Sequence, residues 1–133
     1  MVKNTNAKAN RFGREVDPWV QAIWPRAQRK GRGIEGCDYT DTGDVAIELK
    51  NHSNMDLSTW MRQVVLDAEM EKRPYPCVIH KRRRYATQQA YVTFELESFF
   101  KMIAELKGID LPDDLVPVSD PSDVPDWGDQ RES

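Results

Sequence analysis

Residues 36–50 read GCDYTDTGDVAIELK, and this stretch decides how the rest of the chain is interpreted. Thr40, Asp41, Thr42 and Gly43 are turn formers, and from Asp44 to Lys50 apolar and polar residues alternate with the period of a strand. Val45, Ile47 and Leu49 point one way, while Ala46, Glu48 and Lys50 point the other. A β-hairpin from about Gly33 to Asn51 is predicted. With its turn centred on Gly43, Asp38 falls directly opposite Glu48, at a Cβ separation of roughly 5 Å. Two carboxylates and the Lys50 amine then converge on one face. Carboxylates held that close repel unless a cation lies between them, and hard oxygen donors select Mg²⁺ or Mn²⁺. Asp44 is a rival ligand, but four residues along one strand from Glu48 it lies about 13 Å away. Asp38 is therefore the expected partner, and Asp44 closes the turn.

On either side of this hairpin the periodicity changes to that of helices. Phe12, Val16, Trp19, Val20 and Ile23 mark a helix from about Asn10 to Trp24, either kinked at Pro18 or capped by Asp17. A second helix is expected to open within Met55–Ser58, capped by Asp56 or Ser58, and to run to about Lys72, carrying Trp60, Val64, Leu66 or Asp67, and Met70. The apolar run PYPCVIHK gives a strand over about Tyr75 to Lys81, and a turn at 84–88 leads to a further strand over about Ala90 to Leu96. Glu97 to Lys107 closes the order as a helix. The prediction is an α/β fold, αββαββα, with a central mixed sheet flanked by helices. Residues 1–9 read as a disordered arm and 108–133 as an acidic, proline-containing tail, leaving 10–107 as the folded domain.

Charge is divided along the chain. The net charge is −3, but residues 108–133 hold eight acidic side chains against Arg131 alone, a net of −7. Residues 1–107 hold 18 basic and 14 acidic side chains, a net of +4. The basic residues cluster as Arg11, Arg14, Arg26, Arg29, Lys30 and Arg32 ahead of the hairpin and as Lys81, Arg82, Arg83 and Arg84 after the third strand. An acidic metal face between basic clusters suits a polyanion. No apolar run approaches the ~20 residues of a membrane span, and the N-terminus lacks the apolar core of a secretory signal. Cys37 and Cys77 read as reduced core residues, so a cytoplasmic location is expected. Trp19 and Trp60, at helical spacing, read as core, with a stacking platform for unpaired bases as the alternative.

With these elements placed, the helix, the D-x9-E-x-K hairpin, the helix and the strand that follow resemble the PD-(D/E)XK nuclease superfamily. Within it, GDVAIELKNHSNMDLSTWMRQ, CVIHKRRR and AYVTFELESFF are similar to small phage-encoded Holliday-junction resolvases of actinobacterial viruses. Cys37 stands where the superfamily motif has its proline. The resemblance implies that Asp38, Glu48 and the carbonyl of Leu49 hold Mg²⁺, with Mn²⁺ as a substitute, and that Lys50 orients or deprotonates the attacking water. Glu15 would join the metal shell from the first helix, and Gln63 would face the site from the second. Asn51 and His52 would support the catalytic strand. Arg11, Arg14, Arg29, Lys30, Arg32, His80, Lys81, Arg82, Arg83 and Arg84 form the expected DNA-binding set. The implied function is endonucleolytic resolution of four-way DNA junctions by a homodimer, in the host-cell cytoplasm if the protein is phage-encoded. A same-fold nuclease for flaps, nicked or single-stranded DNA, or a non-catalytic DNA-binding module, are the alternatives.

Overall fold

The computed structural model describes the backbone of residues 2–31 and 34–115, with side chains from residue 10 onward. Arg32 and the acidic tail from residue 116 onward lie outside the described residues. Three helices surround an α/β core: α1 (Val2–Ile23), α2 (Leu57–Glu71) and α3 (Leu96–Lys107). The strands are β1 (Gln28–Arg29), β2 (Tyr39–Thr40), β3 (Val45–Lys50), β4 (Tyr75–His80) and β5 (Tyr91–Phe94). One sheet has the order β3-β4-β5, parallel between β3 and β4 and antiparallel between β4 and β5; β1 and β2 form a separate antiparallel pair.

The first helix begins earlier than its apolar pattern suggests. It starts at Val2, so residues 2–9 continue α1 where an unstructured arm was expected. The periodicity starts only at Phe12, because only from there does the helix bury a face. Phe12, Val16 and Val20, spaced i, i+4 and i+8, pack on Tyr39, Ile47 and Cys77. Pro18 sits inside the continuous helix, and Asp17 is not its cap. Asp17 Oδ1 accepts from Arg29 Nε (2.9 Å) and from Tyr39 Oη (2.6 Å), which ties α1 to both short strands.

β3 divides the core as its alternation requires. Ile47, with Val45 and Leu49, packs toward α1, whereas Ala46 is buried against Trp60, Val64 and Ala68 of α2. The face that carries Glu48 and Lys50 is therefore covered by a helix. Parallel pairing of β3 with β4 follows from the α2 crossover, since parallel neighbours need a long connection. Lys72 ends α2 in the left-handed conformation (φ 57°), with its N–H on the carbonyls of Ala68 and Glu69. Arg73 then reaches back. Its Nη1 donates to Thr42 Oγ1 (2.7 Å) and to the Tyr39 carbonyl (3.2 Å), pinning the turn that feeds β3.

The expected hairpin is corrected in one respect. β2 ladders with β1, and not with β3. Asp38 links the two sheets: its N–H donates to the Ile47 carbonyl (2.9 Å), and its own carbonyl accepts from the Lys30 N–H (2.7 Å). With that carbonyl engaged elsewhere, the Asp38 carboxylate supplies the missing acceptor, taking the Leu49 N–H at 2.6 Å. α3 packs back on β4 through buried Ala104 and a hydrogen bond from Tyr75 Oη to Glu105.

Candidate active site

Glu48 and Lys50 share one face of β3, as the alternation of VAIELK requires, and the Asp38 carboxylate reaches the same edge through the Leu49 N–H. Glu48 Oε2 lies 3.5 Å from Lys50 Nζ, and the Glu48 side chain is only 12% exposed. Its other oxygen, Oε1, is buried without any hydrogen-bond partner. A buried carboxylate oxygen left unpaired costs free energy on the order of a lost charged hydrogen bond, so this atom is the odd one in the core. Burial, reinforced by the charge of Asp38, pushes the Glu48 carboxyl up to about 7 despite the nearby Lys50. Asp38 is raised as well, chiefly by burial, with the Leu49 N–H and Lys50 opposing the shift.

Two neighbours hold Asp38 in place. Gly36 adopts φ +97°, and a Cβ there would fall 2.1 Å from Glu71 Oε2. That same oxygen accepts from the Cys37 N–H (3.0 Å) and from Lys30 Nζ (3.0 Å), fixing the residues that lead into Asp38. Cys37 and Cys77 are both buried free thiols on opposite sides of the sheet, and burial pushes each up to about 12.

The donors present fit a hard divalent cation. The Lys50 carbonyl faces β4, where it accepts from the Lys81 N–H (3.0 Å). By strand alternation Leu49 therefore directs its N–H and its carbonyl to the opposite edge, the one occupied by Asp38. Asp38, Glu48 and the Leu49 carbonyl make an all-oxygen set, and Glu48 Oε1 is the donor without a partner. Among the described residues no group of three or more His, Cys, Asp or Glu side chains is arranged to hold an ion.

Glu15 does not join it. It belongs to α1, which packs on the other face of the sheet, and its carboxylate accepts from Thr87 Oγ1. Gln63 lies on α2, the helix over the Glu48 face, but is exposed, with its amide donated to Asp67 Oδ1 (3.1 Å). Asp67 is the residue that the sequence reading missed: its charge adds to the upward shift of Asp38 and Glu48. The signal was its position seven residues after Trp60 and three after Val64, on the face that α2 buries. Together with Gln63, Gly36 and Glu71, it lines a recess of about 510 Å³ beside the Asp38 segment.

The expected DNA-binding set separates into outward and inward members. Arg11, Arg14, Arg83 and Arg84 are exposed and form no ion pair among the described residues. Arg29 and Lys30 are committed to Asp17 and Glu71. Lys81 Nζ donates to the Tyr85 carbonyl (2.9 Å), and the Arg82 guanidinium lies 3.6 Å over the Tyr85 ring and 4.4 Å over Tyr91. His80 corrects the sequence expectation outright. It is 4% exposed, hydrogen-bonded to Thr93 Oγ1 (2.8 Å) and flanked by Trp60 and Tyr91, and burial lowers its pKa. Its register partner is Lys50, so it lies buried beside the site. His52 stacks beside Trp60 at 5.5 Å. The two tryptophans diverge: Trp60 is core at 7% exposure, whereas Trp19 is 62% exposed.

Fold and site together define an α/β protein with a mixed three-stranded sheet and a half-buried Asp-Glu-Lys constellation at one sheet edge. Compared with known proteins, the chain matches no protein-family model, no curated protein and no solved structure. No helix among the described residues is long and apolar enough to cross a membrane.

Proposed function

We propose that this protein is a metal-dependent endodeoxyribonuclease that cuts branched DNA, four-way junctions foremost, as a two-fold homodimer. The observation that carries the reading is the unpaired, buried Glu48 Oε1 beside Asp38 and Lys50. A desolvated carboxylate pair costs folding free energy, and carboxyls perturbed by burial and a charged neighbour concentrate at functional sites, which supports this reading.

A divalent cation held by Asp38, Glu48 and the Leu49 carbonyl would supply Lewis-acid polarisation of the scissile phosphate and a water of lowered pKa. Lys50, on the same strand face as Glu48, orients the attacking water and offsets negative charge that develops on the phosphate. The outward arginines steer the polyanion toward the site. Symmetric incision of a junction needs two such sites at a set separation, hence the dimer.

One observation favours a second reading, a DNA-binding module without catalysis: Asp38 already serves as a backbone acceptor for Leu49. Parallel incubation of labelled junction, flap, nicked, duplex and single-stranded DNA with Mg²⁺ or with EDTA separates the readings. The proposal expects Mg²⁺-dependent cleavage with the junction preferred, and Lys50→Ala and Glu48→Gln that bind junction in Ca²⁺ without cutting it. Absence of cleavage in every Mg²⁺ and Mn²⁺ condition, with binding retained, would leave the binding module.

A further inference from the structure

A second recess lies away from Asp38 and Glu48. It is a cleft of about 740 Å³ between α1 and the loop of residues 81–88, reached where the chain leaves β3 at Asn51–Ser53. Arg11, Arg83 and Arg84 line it, and none makes an ion pair or hydrogen bond among the described residues. Unpaired cations in a concave surface set up a positive potential that has no use in folding.

Two exposed aromatic rings, those of Trp19 and Tyr85, stand in the same cleft. Trp19 is 62% exposed, although its helix buries Phe12, Val16 and Val20 nearby. An indole at that exposure contributes little to the core. Tyr85 is held by the Arg82 guanidinium over its ring and by Lys81 on its carbonyl. Beyond Trp19 the cleft continues into an apolar slot of about 190 Å³, walled by Val16, Ile79 and Ala90. At the junction of cleft and slot lies Thr87, whose hydroxyl holds the Glu15 carboxylate in place. A basic mouth thus leads to an aromatic and apolar slot with a fixed acceptor at its entrance.

From this we infer that the cleft seats an unpaired nucleotide of single-stranded DNA, its base against Trp19 and its phosphates on Arg11, Arg83 and Arg84. A base inside a duplex has no free face to offer an indole, whereas every unpaired base does. The inference deepens the nuclease reading and rests on it for two points: that the seated strand is DNA and not RNA, and that it would be the unpaired arm leading to the Lys50 end of β3.

The test is metal-free binding, read by fluorescence anisotropy in EDTA with labelled oligo-dT, oligo-rU and a duplex of equal length. Trp19→Ala is expected to weaken oligo-dT binding by about tenfold and duplex binding by much less, with Trp19→Phe restoring most of the loss. Arg83→Ala with Arg84→Ala should lower the salt dependence on oligo-dT by roughly 0.7 in log–log slope per arginine. Equal losses on single strand and duplex, no oligo-dT binding by the wild type, or tighter binding of oligo-rU would overturn the inference. Because the binding assay needs no metal, oligo-dT binding together with no cleavage in the separate Mg²⁺ and Mn²⁺ incubations sinks the nuclease reading alone, and Mg²⁺-dependent cleavage without single-strand selectivity in EDTA sinks the cleft alone.

Discussion

Replacing Glu48 by glutamine should stabilise the metal-free protein, and the gain should depend on pH. In the fold the Glu48 carboxyl is pushed from 4.5 to about 7, mainly by burial and then by Asp38. The folded state therefore binds the proton more tightly than the unfolded chain, and wild-type stability falls as pH rises from about 4.5 through about 7. At 1.36 kcal/mol per pH unit the full loss amounts to about 3 kcal/mol above pH 7. The side chain is 12% exposed, so solvent screens little of this. Glutamine removes the charge but keeps one uncompensated polar atom, which reduces the net gain to about 1–3 kcal/mol. Thermal unfolding followed by circular dichroism in EDTA should then show Glu48→Gln melting roughly 3–10 °C above wild type at pH 8, with near-equal midpoints at pH 5. Adding Mg²⁺ or Ca²⁺ should raise the wild-type midpoint and leave the variant nearly unmoved, since ligation by a native carboxylate stabilises only the protein that has it. A variant that melts at or below wild type in EDTA at pH 8, or a difference that ignores pH, would refute the argument that Glu48 is held charged at a cost.

The two aspartates should separate in cleavage assays. Asp38→Asn should lower the rate at least ~10²-fold, as loss of a metal ligand does, while Asp44→Asn, at the turn, should cost little; the opposite ranking would move the site to Asp44. Arg29→Ala should lower stability by roughly 1 kcal/mol through loss of the partly exposed Asp17 pair and leave the salt dependence of DNA binding unchanged, as equilibrium melts and salt titrations would show. Residues 116–133 hold five acidic side chains and one basic, a net of −4, so ending the chain at Leu115 turns a net charge of −3 into +1. Duplex affinity of that shorter protein should rise at low salt and converge with the full chain at high salt, and parallel binding curves at all salt concentrations would exclude an electrostatic role for the tail.

Sequence by itself determined the helix, strand and helix around VAIELK, because period-two alternation and the i, i+4 spacing of Phe12, Val16 and Val20 are local signals of burial. It also placed Glu48 and Lys50 on one strand face, since a strand leaves its side chains only two directions, whereas Asp38 reaches that edge through the Leu49 N–H and not through a β2–β3 ladder. Whether that face meets water or a helix is not a local property. Only the crossover through α2 covered it, desolvated Glu48 and brought Asp67 toward the pair. The pairing of β2 with β1 was hidden for a similar reason: two residues of strand carry no periodicity, and the Lys30 N–H competes with β3 for Asp38 only after the chain has closed. Glu15 and His80 show the same limit. Their residue types suit metal and phosphate, but the packing of α1 on the far face and of Trp60 over β4 turned one toward Thr87 and the other into the core. Trp19 and Trp60 share residue type and helical spacing, and which of them is buried was decided by what lies opposite each helix face, information that exists only once the sheet has formed.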